Sequence, residues 1–244
     1  MQGRQQQQAY DRGITIFSPD GRLYQVEYAR EAVKRGTASI GVRADDGVAL
    51  IADKPSRSTL IESDSVEKLH KVDDHIGIAS AGLVADARQL IDFARRDAQL
   101  ERLRYEQPMG VEALTKSVTD HIQQYTQIGG ARPFGVALLV GGLDDGRPHL
   151  FEIDPSGTPY EWRAIAIGSD REDLQAFLQD HYDPEMDLSE AVSLGLRALG
   201  SVSEEPIDPS EVGAATVDAK SERYLQLTDE ELREALAEAD LLSE

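Results

Sequence analysis

The sequence predicts an α+β fold with its sheets inside and its helices outside, and three observations carry that reading. Strand-type runs and amphipathic helices alternate in blocks: strands, two helices, strands, two helices, strands. One run, Phe134-Gly135-Val136-Ala137-Leu138-Leu139-Val140, is apolar without alternation, which suits a strand covered on both faces. With 244 residues, 40% of them hydrophobic, the chain has material for one large core, and we read a single domain. The order is compatible with a four-layer αββα sandwich.

The elements follow in turn. A polar stretch leads to a turn on Ser18-Pro19-Asp20-Gly21, where Pro19 fixes its own φ and removes a donor while Gly21 relieves strain. The chain must change direction there before a helix that carries Leu23, Tyr24, Val26, Tyr28, Ala29, Ala32 and Val33 at helical spacing. Strands at 37–42 and 48–52 flank Asp45-Asp46-Gly47, a hairpin signal. A strand at 75–81 stops at Gly82, and helical periodicity runs from Leu83 to about Arg104. A second helix, near 110–125, ends in a loop where Gly129, Gly130 and Pro133 forbid continuation, so the loop protrudes or turns tightly. Beyond the apolar run come strands near 149–153 and 162–167, helices near 171–181 and 188–199, and a break at Pro206 and Pro209. Strands near 214–217 and 223–227 precede a helix from Asp229, capped by Thr228 with Glu231 completing a capping box.

The charge balance is −20, from 25 Lys and Arg against 45 Asp and Glu, which disfavours nucleic acid and anionic membrane as partners. An acidic, lysine-poor surface is expected of a protein from the salt-loaded cytoplasm of a halophile, where repulsion is screened within a few Å. No apolar run approaches the ~20 residues that cross a bilayer. Met-Gln-Gly-Arg-Gln-Gln-Gln-Gln lacks the apolar centre of a secretory signal, so a cytoplasmic location is expected. The absence of cysteine excludes a disulfide framework, a thiolate metal site and a Cys nucleophile. His70, His75, His121, His149 and His181 lack metal-ligand spacing, and neither a phosphate loop nor a nucleophile elbow is present. No metal and no cofactor is expected.

Tyr10-Asp11-Arg12, the Ser-Pro-Asp-Gly turn and Gln25-Val26-Glu27-Tyr28-Ala29 together resemble the N-terminal signature of α-type proteasome subunits, and the resemblance continues at lower density to about Leu227. It implies the Ntn-hydrolase/proteasome αββα fold with an extra N-terminal helix: a flexible gate arm at 1–12, turn and helix at 13–36, and the sandwich at 37–244. It also implies a non-catalytic subunit of heptameric outer rings, stacked on rings of β subunits. Such a ring gates the entry of unfolded protein substrates, docks the C-terminal tails of a proteasome-activating AAA ATPase, and templates β-ring assembly. By the same resemblance Tyr10, Asp11, Pro19 and Tyr28 form the cluster that holds the open gate, with Arg12 beside them. Gly36, Lys68, Gly82 and Leu83 line a pocket between neighbouring α subunits, where Lys68 receives a tail carboxylate. Ile128, Gly129, Gly130 and Ala131 form the constriction of the entry channel; a tight structural turn accounts equally for that loop.

The competing enzymatic reading comes from the β subunits, whose N-terminal threonine attacks with its own α-amine as base. Thr37 follows Gly36, with Asp53 and Lys68 further along, so cleavage after Gly36 yields the outline of such a site. Against it, the preceding residues read as permanent structure, Thr37 is followed by Ala38-Ser39, and Gly200-Ser201-Val202-Ser203-Glu204-Glu205 replaces the supporting Asp-Ser-x-Ser-Gly element. Uncleaved, Thr37 has an amide nitrogen, which takes no proton from the hydroxyl. Thr37, Asp53 and Lys68 are therefore read as vestigial. A third reading is a scaffold ring that acts without a protease.

Overall fold

The computed structural model describes residues 21, 23–54, 60, 65–127, 131–203 and 206–242. Within them, α1 (Tyr24–Lys34) precedes the hairpin β1 (Ser39–Arg43) and β2 (Gly47–Asp53). Next come β3 (Leu69–Asp73), β4 (Ile76–Gly82), α2 (Val84–Tyr105) and α3 (Val111–Gln127). The chain continues through β5 (Val136–Asp144), β6 (Arg147–Ile153), β7 (Pro159–Glu161) and β8 (Ala164–Ile167) to α4 (Arg171–His181) and α5 (Leu188–Val202). A 3-10 turn at Pro209–Glu211, β9 (Val212–Asp218), β10 (Arg223–Gln226) and α6 (Asp229–Glu238) complete it.

The strands form two five-stranded antiparallel sheets, ordered β10-β9-β2-β1-β8 and β3-β4-β5-β6-β7. Period-two alternation sorts their side chains into layers. On β2, Val48, Leu50 and Ala52 point between the sheets, whereas Ala49 and Ile51 join the core beneath α4 and α5. On β5, Ala137 and Leu139 face the opposite sheet, and Val136, Leu138 and Val140 pack under α2 and α3. Both faces are covered, which is why the β5 sequence shows no polar alternation. The outcome is helices, sheet, sheet, helices: the α+β four-layer sandwich. No helix among the described residues is long and apolar enough to cross a membrane.

α1 lies over β4 and β5 and buries Val26, Ala29 and Val33, the last reaching the core between the sheets. Arg30 pins it, donating to Asp154 at 2.7 and 3.1 Å and to Glu27 at 2.7 Å. Tyr28 is on the outer side, 52% exposed. α6 starts on the expected Thr228 and Glu231 capping box, and α5 has a second one at Asp187 and Glu190.

Two strands depart from the expectation. β3 reads Leu69-His70-Lys71-Val72-Asp73, yet only Lys71 is exposed; buried His70 and Asp73 disguise it as a loop. β7 has three residues, all exposed, too few for a pattern. β1 begins at Ser39 because Thr37 is bound elsewhere, and α5 runs on to Val202. Of the turn at 18–21 only Gly21 is described, at φ +74° as a left-handed turn position requires.

Candidate functional site

The site begins where α1 ends. Arg35 closes the helix and Gly36 carries the chain into the sandwich at a crossing too tight for a side chain: a Cβ there would lie 2.4 Å from the Gly82 nitrogen. Gly82 is itself left-handed at φ +121°, and a Cβ on it would lie 2.3 Å from the Gly135 carbonyl oxygen. Glycine is thus required at both positions by contacts within the chain. The Ser169 N–H donates to the Gly36 carbonyl at 2.8 Å, which clasps the peptide between Gly36 and Thr37.

Beneath this crossing the fold brings Thr37, Asp53 and Lys68 together. Thr37 Oγ1 donates to the Asp53 carbonyl at 2.7 Å. Lys68 Nζ, on a side chain only 7% exposed, lies 2.8 Å from each of four acceptors: the carbonyls of Thr37, Ala38 and Asp53, and Thr37 Oγ1. An ammonium has three protons, so these acceptors share all of its donating capacity. Burial pulls Lys68 down to about 7, and the Asp53 charge opposes that shift. Burial likewise raises Asp53, against the attraction of Lys68. Lys68 does not pair with Glu67, whose carboxylate reaches His70 Nδ1 at 3.9 Å. One side of the nest opens on a cavity of about 380 Å³ lined by Ala38, Asp53, Asp170, Ser203 and Glu211. The lysine side opens on another of about 250 Å³, with Lys54, Val66, Glu67 and Gln226.

Chemically, the cluster has a hydroxyl, an ammonium and a carboxyl, but the Thr37 nitrogen is in a peptide bond. Threonine attack needs a base near its hydroxyl, and Nζ can accept that proton only after losing one of its own. Burial eases that loss, whereas the four acceptors and the Asp53 charge oppose it.

Gly36, Lys68, Gly82 and Leu83 lie around this one crossing, with Leu83 45% and Val84 54% exposed beside it. Tyr10, Asp11, Arg12 and Pro19 lie outside the described residues, as do Ile128, Gly129 and Gly130. Ala131 is described and half-buried. Among the described residues no cluster of His, Asp and Glu could hold a metal ion. His121 stacks on Phe93 at 4.1 Å, and His75 Nε2 lies 3.0 Å from the Met109 carbonyl. Sequence reasoning missed Asp86, Arg132 and Gly135, which join the end of the 128–131 loop to the start of α2. Their only sequence signal is a carboxylate in a helical first turn, too common to single out.

A family model described as "Proteasome subunit" matches residues 33–217, and one for the N-terminal signature of the A-type proteasome subunit matches residues 10–32. The chain is 69% identical over 242 residues to the alpha 1 proteasome subunit of Haloarcula marismortui, covering 99% of this chain and 93% of that one. It is 65% identical over 243 residues to the alpha proteasome subunit of Natronomonas pharaonis, covering 99% and 95%. The alpha 1 proteasome subunit of Haloferax volcanii is also 65% identical over 243 residues, covering 100% and 96%.

Proposed function

This chain belongs to the proteasome subunit family as an α-type subunit of the archaeal core, and from that premise we propose that it serves as gate and docking ring without catalysis of its own. Copies of the chain build a heptameric outer ring that stacks on β subunits and templates their assembly. Residues 1–12, with Tyr10, Asp11, Arg12, Pro19 and Tyr28 at the base of the arm, control the pore on the ring axis, where symmetry multiplies one arm into a closure. Ile128, Gly129, Gly130 and Ala131 line the channel below, through which unfolded protein passes. The pocket at Gly36, Lys68, Gly82 and Leu83 receives the C-terminal tails of an AAA ATPase, with exposed Leu83 and Val84 at its mouth. The acidic chain, like its relatives from halophilic archaea, works in a salt-loaded cytoplasm.

The observation that carries the non-catalytic part is the peptide between Gly36 and Thr37. It is clasped by Ser169, continuous with a packed helix, and backed by a lysine whose protons go to four acceptors. The intact mass of the chain in assembled particles tests this reading. A chain that retains residues ahead of Thr37 is expected, and a fragment beginning at Thr37 sinks the proposal. For the gate, deleting residues 2–12 should speed peptide hydrolysis by the assembled particle; an unchanged rate counts against the arm.

A further inference from the structure

We infer that Asp86 is a positioning residue that ties the 82–83 corner to the described end of the channel loop, so that a displacement at one is felt at the other; the functional meaning of the two ends rests on the reading above. Asp86 is in the first turn of α2 and is 4% exposed. Arg132 grips both of its oxygens, Nη1 to Oδ2 at 2.6 Å and Nη2 to Oδ1 at 2.7 Å, and the Gly135 N–H donates to Oδ2 at 2.8 Å. Burial works against the Asp86 charge, but the Arg132 hydrogen bond and the Gly135 N–H outweigh it and hold the carboxyl below its usual value.

The other half of the connection is backbone. The Leu83 N–H donates to the Gly135 carbonyl at 2.9 Å, so both polar groups of the Gly135 main chain are bound to the start of α2. Gly82 touches that same carbonyl, and Leu83 Cδ1 would lie 2.9 Å from a Cβ on Gly135. The corner cannot shift without moving Gly135, and Gly135 cannot move without turning the carboxylate on which Arg132 rests. On the other side of the loop, Tyr125 of α3 packs on Phe134 with centroids 4.7 Å apart, and His121 stacks on Phe93 of α2. Both feet of the loop are therefore rooted on α2.

Stability alone is a poor account of the ion pair. The Arg132 side chain is 61% exposed although that of Asp86 is 6%, so solvent screens the guanidinium and the Gly135 N–H remains on the carboxylate without it. What a planar, two-pronged guanidinium adds is direction, because it fixes the angle at which the chain leaves Ala131.

The chain has no cysteine, so Ala131→Cys offers a single attachment point for a nitroxide label. The experiment uses assembled particles, with Asp86→Asn, Arg132→Gln and Arg132→Lys in turn, and records label mobility with and without the cognate ATPase's C-terminal tail peptide. The same peptide amidated at its C-terminus is the control. Asp86→Asn and Arg132→Gln should both loosen the label at rest, and Arg132→Lys should fail to restore it because a point charge lacks the fork. Tail-stimulated peptide entry should fall by about 3- to 10-fold in the same variants. Arg132→Gln keeps the experiment decisive if Asp86→Asn does not assemble, since Arg132 is exposed and the Gly135 N–H keeps its acceptor. A resting label as ordered in Arg132→Gln as in the parent overturns the positioning role. A loosened label with undiminished tail response overturns the coupling. A parent particle whose label and entry ignore the tail overturns the docking reading, and the resting mobility still decides the role of Asp86.

Discussion

The Thr37 nest and the 82–83 corner meet at Gly36, and they are built on opposite principles. In the nest, polar groups are buried and saturated: one ammonium serves four acceptors, and the hydroxyl it reaches is itself bound to Asp53. At the corner, side chains are missing where backbones cross, at Gly36 and Gly82, and apolar ones project outward beside them, at Leu83 and Val84. The residues that would support hydrolysis are thus engaged in holding β1, β2 and the end of α1 together. The side chains exposed beside the corner, Leu83 and Val84, carry no catalytic chemistry.

The largest expected effect tests the corner. Gly82→Ala places a Cβ 2.3 Å from a backbone oxygen at a φ of +121°, whereas Gly146→Ala meets nothing within 4 Å at a φ of +75°. Both substitutions strain the backbone, but only the first also forces two backbones apart. Gly82→Ala should cost more than about 3 kcal/mol, and Gly146→Ala only about 1–2 kcal/mol. Thermal unfolding of the two variants checks this; equal losses mean that φ strain alone, and not the crossing, makes the corner special.

Lys68→Met comes next and tests the nest. It strips a donor from buried acceptors at about 1–3 kcal/mol each, offset by no longer burying a charge, for a net loss of about 2–3 kcal/mol. Its pH dependence has a definite sign. Lys68 titrates at about 7 in the folded chain against 10.5 as the ordinary value, so between these the unfolded chain holds a proton that the folded one has released. The wild-type advantage over Lys68→Met should therefore be flat below about pH 7 and grow towards pH 10, by at most roughly 1.4 kcal/mol per unit. Unfolding free energies of both proteins across that range test it. A flat difference means that the carbonyls keep the proton on Lys68 against the pull of burial.

The fold was legible where one physical signal dominated. The unbroken apolar run of β5, the periodicity of α2 and the Thr228 cap each identified an element locally. β3 escaped because His70 and Asp73 are polar residues buried in a strand. The nest was legible only in part. Thr37, Asp53 and Lys68 were marked by resemblance, while the inward aim of the lysine depends on three strands meeting in space. Asp86 and Arg132 are 46 residues apart, and nothing local links them. The side chains at the loop's feet were read as parts of separate elements, Tyr125 of a helix and Phe134 of a strand, and their shared rooting on α2 is a property of the packed layers.

The smallest effect is the most discriminating for the comparison. Thr37→Val keeps the shape of the side chain and removes its hydroxyl, so Asp53 loses a donor and Lys68 one of four acceptors. Because Lys68 still reaches three carbonyls, the loss should be about 1 kcal/mol, or roughly 2–4 °C in the unfolding temperature. Peptide hydrolysis by assembled particles that carry Thr37→Val should be unchanged, since the nitrogen of Thr37 is acylated and the free α-amine that serves as base in a threonine hydrolase is absent. The two readouts together separate the possibilities. A small stability loss at full activity assigns the hydroxyl to architecture. Loss of hydrolysis at full stability would make Thr37 a nucleophile, and the contrast between a closed nest and an outward corner would have to be abandoned.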